Sequence, residues 1–153
     1  MKTAMIAVML FGGSSANATQ FAISCKGTAV NKYMVGSLNR EKSNPLPEQI
    51  YVVDEGSKVV RRALIPRQEY DTVCESKGKA PDVSIAPGLI LVTGTPDFSD
   101  DYAECRLEID RKTGKAQHFM RFSLSGDNYT EMTWDMMCKK TAIPDFDTSK
   151  NKF

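Results

Sequence analysis

An all-β fold, an antiparallel sandwich or small barrel of about seven or eight strands, follows from three features of this chain. Short β-branched and aromatic runs recur between clusters of Gly, Pro, Asn and Asp. Helical periodicity is almost absent. Four cysteines stand far apart, the spacing of a disulfide-stapled framework.

The N-terminus is expected to precede the fold rather than join it. Met1 and Lys2 are followed by the apolar run Ala4-Met5-Ile6-Ala7-Val8-Met9-Leu10-Phe11, then Gly12-Gly13-Ser14-Ser15 and Ala16-Asn17-Ala18. That order is the signature of a signal peptide cleaved after Ala18. The apolar run is far shorter than the roughly 20 residues that span a bilayer, so no integral membrane segment is expected after cleavage. Lipid attachment at Cys25 is disfavoured, because thirteen residues separate it from Phe11. Residues 1–18 are thus read as the signal, 19–141 as one β-rich domain, and 142–153 as a loose polar tail.

Phe21-Ala22-Ile23-Ser24-Cys25 alternates as a half-buried strand. Residues 39–48 are polar, contain Pro45 and Pro47, and read as a loop. Ile50-Tyr51-Val52-Val53 and Val59-Val60-Arg61-Arg62-Ala63-Leu64 are paired strands around an Asp54-Glu55-Gly56-Ser57 turn. Residues 67–73 fit either a helical turn or an irregular segment, and 77–82 read as a loop. Leu89-Ile90-Leu91-Val92-Thr93 is an apolar strand, followed by the polar connection 95–101.

Cys105-Arg106-Leu107-Glu108-Ile109 alternates apolar with charged residues. Asp110 to Gly114 suits a hairpin loop, with Asp accepting backbone N–H bonds and Gly in the left-handed position. Pairing Asp110 with Lys115 sets Ile109 against Ala116, Leu107 against His118 and Cys105 against Met120, which gives both strands one apolar face. Ser125-Gly126-Asp127-Asn128 turns the chain. Met132, Trp134, Met136 and Cys138 then recur at period two.

The four cysteines favour two disulfides in an oxidising compartment. Zinc is the rival, with His118 as a further ligand. Structural zinc sites are built on closely spaced cysteine pairs, whereas the nearest two here, Cys74 and Cys105, are 31 residues apart. Three pairings are open to four cysteines. The preferred one is Cys25–Cys138, tying the opening strand to the closing strand, with Cys74–Cys105.

Phe21-x-x-x-Cys25-x-Gly27 after a signal peptide, Tyr51-Val52-Val53-Asp54, Ile109-Asp110-Arg111-Lys112-Thr113-Gly114 and a cysteine in the last strand together resemble a loose group of small uncharacterised bacterial periplasmic or secreted β-rich proteins. The resemblance covers most of residues 19–153 and implies an exported setting. Its members often carry two cysteines close together in the middle region, where this chain has only Cys74. The group has no agreed activity, so no function carries over.

Without residues 1–18 the chain carries 19 basic and 19 acidic side chains. A nucleic-acid binder would carry a basic excess, so no nucleic-acid partner is expected. No cofactor or phosphate-binding glycine loop is recognisable. Asp97, Asp100 and Asp101 lack the frame of a calcium loop and read as a solvated cluster. Asn128-Tyr129-Thr130 is a glycosylation sequon, discounted in a bacterial setting.

His118 is the single histidine, placed by the hairpin register on the apolar face, and no G-x-S-x-G serine exists to partner it. His118, Met120, Phe122, Met132, Trp134 and Met136 lie on inward stripes and are the candidate walls of an apolar pocket, the competing reading being ordinary core. The leading expectation is therefore a non-enzymatic exported domain that binds a small apolar ligand. The alternative is a protein-interaction domain, such as an inhibitor of a secreted hydrolase or an envelope accessory protein. A hydrolase of scattered carboxylates is a third class, marked by two acids converging in a cleft.

Overall fold

The computed structural model describes residues 19–94, 104–123 and 126–146. The expected signal, the Asp97/Asp100/Asp101 cluster and residues 147–153 lie outside them.

Among the described residues, nine strands form one antiparallel sheet, curled into a half-barrel. They are β1 (Gln20–Val35), β2 (Leu38–Asp54), β3 (Val59–Leu64), β4 (Glu69–Thr72), β5 (Asp82–Ile85), β6 (Leu89–Thr93), β7 (Glu104–Asp110), β8 (Lys115–Ser123) and β9 (Tyr129–Thr141). The order across the sheet is β4-β3-β2-β1-β9-β8-β7-β6-β5. Two meanders, β1 to β4 and β5 to β9, are thus zipped together by the first and last strands. The all-β antiparallel expectation holds. One curled sheet replaces the two layers of a sandwich, and nine strands replace seven or eight.

The extra strands come from segments whose composition hides them. Residues 39–48, read above as a loop, belong to β2 and pair with β1 from Leu46 opposite Gly27 out to Leu38 opposite Val35. β3 pairs only with residues 50–54 of β2. Among the described residues nothing pairs with the outer edge of residues 38–49, where the donors that Pro45 and Pro47 lack are not needed. β4 and β5, four residues each, border the sheet. Past β9, the Tyr70 hydroxyl donates to the Pro144 carbonyl and its ring lies 4.7 Å from that of Phe146.

The β7–β8 hairpin has the register that alternation requires, with Ile109 opposite Ala116, Leu107 opposite His118 and Cys105 opposite Met120. Asp110 accepts the backbone N–H groups of Lys112 and Thr113, and Gly114 has a φ of +75°. These inward residues join rows that run round the curl. One row passes through Ala29, Trp134, His118, Leu107, Val92 and Val83 on six strands. Of these, Leu107 and Val92 are fully buried, as are Ile90, Tyr51 and Val53 nearby. Burying each such aliphatic side chain stabilises the fold by about 1.5–3 kcal/mol.

The disulfides are Cys25–Cys138 and Cys74–Cys105. Cys25 and Cys138 are directly opposed on β1 and β9. Cys74, just past β4, reaches across the open side to Cys105 on β7 and pins the curl. Gly94 lies in that seam, where a Cβ would come within 3.0 Å of the Cys74 carbonyl oxygen. At the other end of the curl, Arg111 of the β7–β8 turn pairs with Glu55 at 2.9 Å and covers the Phe21 ring.

Gly27 marks the irregularity in β1–β2 pairing, and β9 crosses it closely. A Cβ there would lie 1.8 Å from the backbone oxygen of Asp135, which no rotamer change can relieve. Gly27→Ala is expected to destabilise the protein by about 2–3 kcal/mol, as overpacking does. Urea unfolding checks this, and an unchanged midpoint would contradict the close approach.

Candidate functional site

Two regions are candidates for a site, the interior around His118 and an arm formed by the outer half of the β1–β2 hairpin.

His118 is 3% exposed. Its Nδ1 lies 3.3 Å from the Tyr51 hydroxyl and its Nε2 lies 3.5 Å from Cys105 Sγ. The Trp134 ring meets it edge-on, with centroids 5.1 Å apart. Arg62, from β3, caps this group 5.6 Å above the Trp134 ring and pairs with Asp71 at 3.1 Å. Burial first, and the Arg62 cation second, push the His118 pKa down to about 3, so the ring is neutral at ordinary pH. Burial likewise pushes the Tyr51 hydroxyl upward.

The six candidate pocket residues do share one inward surface. His118, Met120, Trp134 and Met136 are buried in the core, while Phe122 and Met132 are partly buried and packed against it. The hollow that His118 and Met120 line with Arg62, Cys74 and Cys105 measures about 70 Å³. That is room for about two waters, against the roughly 300 Å³ or more of a metabolite site. A second recess, at the end of the curl floored by Phe21, Ile23, Ile90 and Ile109, measures about 230 Å³.

Tyr51 and Arg62 were not singled out from sequence. Tyr51 was legible as a strand residue, but its contact with His118 depends on how β2 curls over β8. Val59-Val60-Arg61-Arg62 has no period-two signal to show that Arg62 turns inward.

Acidic groups do converge on the outer face, where Glu108, Asp110 and Asp135 line an open groove with Lys26 and Lys115. Each acid is already engaged. Glu108 pairs with Arg106 at 2.7 Å, Asp135 accepts from Gln117 at 2.8 Å, and Asp110 holds its own turn. The two Asp110 turn bonds keep its carboxyl below the usual range, the opposite of what a general acid needs.

The arm differs in kind. Beyond Gly27, β1 continues to Val35 and turns through Gly36, whose N–H donates to Asn128 Oδ1 at 2.7 Å. The sequon asparagine thus ties the arm to the β8–β9 turn. Tyr33, Val35 and Leu38 at the tip are 45%, 47% and 57% exposed. Register places Arg40 opposite Tyr33 and Lys42 opposite Asn31, so these cations share the face of the apolar cluster. Lys32 and Glu41 pair at 3.6 Å on the other face.

No protein-family model matches the chain, and no curated protein matches it. Among the described residues, no helix is long and apolar enough to cross a membrane.

Proposed function

We propose that this chain is an exported, non-enzymatic binding domain that captures an extended segment of another envelope or secreted protein along the β1–β2 arm. One observation carries the reading: a strand edge, residues 38–49, that no strand among the described residues pairs, runs beside three large apolar side chains left in solvent. A free edge adds a visiting strand through main-chain hydrogen bonds, and the flanking side chains select its sequence. Arg40 and Lys42, with no ion pair among the described residues, favour acidic side chains in the visitor, while Tyr33, Val35 and Leu38 favour apolar ones.

The export signature and the two disulfides support a periplasmic or secreted setting. The other expectation, a small apolar ligand inside the sheet, is weakened by the packing around His118 and Trp134.

An array of extended peptides alternating acidic and apolar residues provides the test. The protein should bind them with an affinity that falls about tenfold or more in Tyr33→Ser with Leu38→Ser. Thermal stability should stay within about 0.5 kcal/mol, since both side chains are exposed. Equal binding by wild type and variant, or binding to scrambled basic peptides, would remove the arm from the account.

A further inference from the structure

The structure assigns a second, latent role to the core hollow: once the Cys74–Cys105 bridge is reduced, Cys74 Sγ, Cys105 Sγ and His118 Nε2 form a zinc(II) site. These three donor atoms already lie within 4.8 Å of one another. The 3.5 Å between Cys105 Sγ and His118 Nε2 is decisive. With metal–sulfur near 2.3 Å and metal–nitrogen near 2.0 Å, that separation corresponds to an angle of about 109° at the metal, a tetrahedral edge.

The surroundings suit the ion. The other ring nitrogen, Nδ1, faces the Tyr51 hydroxyl at 3.3 Å, the partner that fixes a ligating imidazole and leaves Nε2 free for metal. Two thiolates cancel the charge of zinc(II), so the buried site is neutral overall. The roughly 70 Å³ hollow leaves space for a water as fourth ligand, beside Asp71 and Glu75.

The redox step needs a dithiol donor, by class. The donor gives two electrons and two protons and closes its own disulfide, while the Cys74–Cys105 bond breaks to two thiols. Zinc then displaces the two thiol protons. The donor enters at Cys74, which is partly exposed and lines the hollow, while its partner Cys105 is buried; Cys138 of the other bridge is partly exposed as well, so the test must show which bridge opens.

The test uses the protein reduced with a dithiol and freed of it without air, then titrated with zinc(II) against a chromophoric chelator. Alkylation mapping identifies the opened bridge, and cobalt(II) serves as a spectroscopic stand-in. Expected are one zinc per chain after reduction and none before, with sulfur-to-cobalt charge transfer and a tetrahedral d–d band. Tyr51→Phe, which keeps all three donors, should weaken affinity about 10-fold, and His118→Gln about 100-fold or more. The proposal is overturned if the reduced protein takes up no zinc while its β-sheet circular dichroism persists. Affinity indifferent to His118→Gln would do the same, as would a sheet lost on reduction that zinc does not restore.

Discussion

Replacing both Cys25 and Cys138 by Ala is expected to lower the unfolding free energy by about 4–5 kcal/mol, the largest loss from removing either bridge. The two cysteines are 113 residues apart, against 31 for Cys74 and Cys105. In the chain-entropy model, closing the longer loop removes more freedom from the unfolded chain, about 4.8 kcal/mol against about 3.7. The longer loop encloses almost the whole fold, because β1 and β9 are neighbours at the centre of the sheet. Urea unfolding of the two double variants under non-reducing conditions checks the ranking. A larger loss from Cys74→Ala with Cys105→Ala would mean that pinning the curl outweighs loop entropy.

Acid should unfold the protein through His118. In the unfolded chain the ring protonates near pH 6.5, whereas in the fold burial and Arg62 hold it at about 3. Between those values the unfolded state binds the proton and the folded state does not. Stability is therefore full above about pH 6.5 and falls as pH drops toward 3. The slope approaches about 1.4 kcal/mol per pH unit, and the total is on the order of 4–5 kcal/mol. Glu48, held low by its hydrogen bond from Ser24, and Asp54 and Asp110, held low by backbone N–H groups, act in the carboxylate range below about pH 4.5. The window from 6.5 to 4.5 therefore belongs to the chain's one histidine. Unfolding curves across it should slope in the wild type and flatten in His118→Gln. Parallel profiles would show that the ring takes up its proton inside the fold.

The most legible element was the β7–β8 hairpin. Its strands alternate strictly, and Asp110 and Gly114 define the turn, so local chemistry alone fixed which residues oppose one another. The inner part of β2, Ile50 to Val53, was legible, but residues 39–48 were not, for a physical reason: prolines and charges normally exclude a strand, but a strand held from one side tolerates both. Nor could alternation distinguish two stacked sheets from one curled sheet, since both ask only for one apolar face. Curvature depends on particular contacts, the backbone approach at Gly27 and the Cys74–Cys105 tie, and neither has a periodic signature. The inward stripe of His118, Met120, Trp134 and Met136 was readable, yet its use was not, because a packed wall and a ligand wall share the same spacing. The outer edge of the arm lay mostly in residues 39–48, the segment taken for a loop, which hid it.

The adjacency of the opening and closing strands also governs when this molecule can fold. A ribosome that has yet to deliver residues 129–141 leaves β1 without one of its two neighbours, and the longer staple without its second sulfur. Pairings so distant in sequence form late, after the chain has covered the entropy of closing so large a loop. A polypeptide built this way stays open until residues 129–141 have been made, because no earlier segment can take their place beside β1.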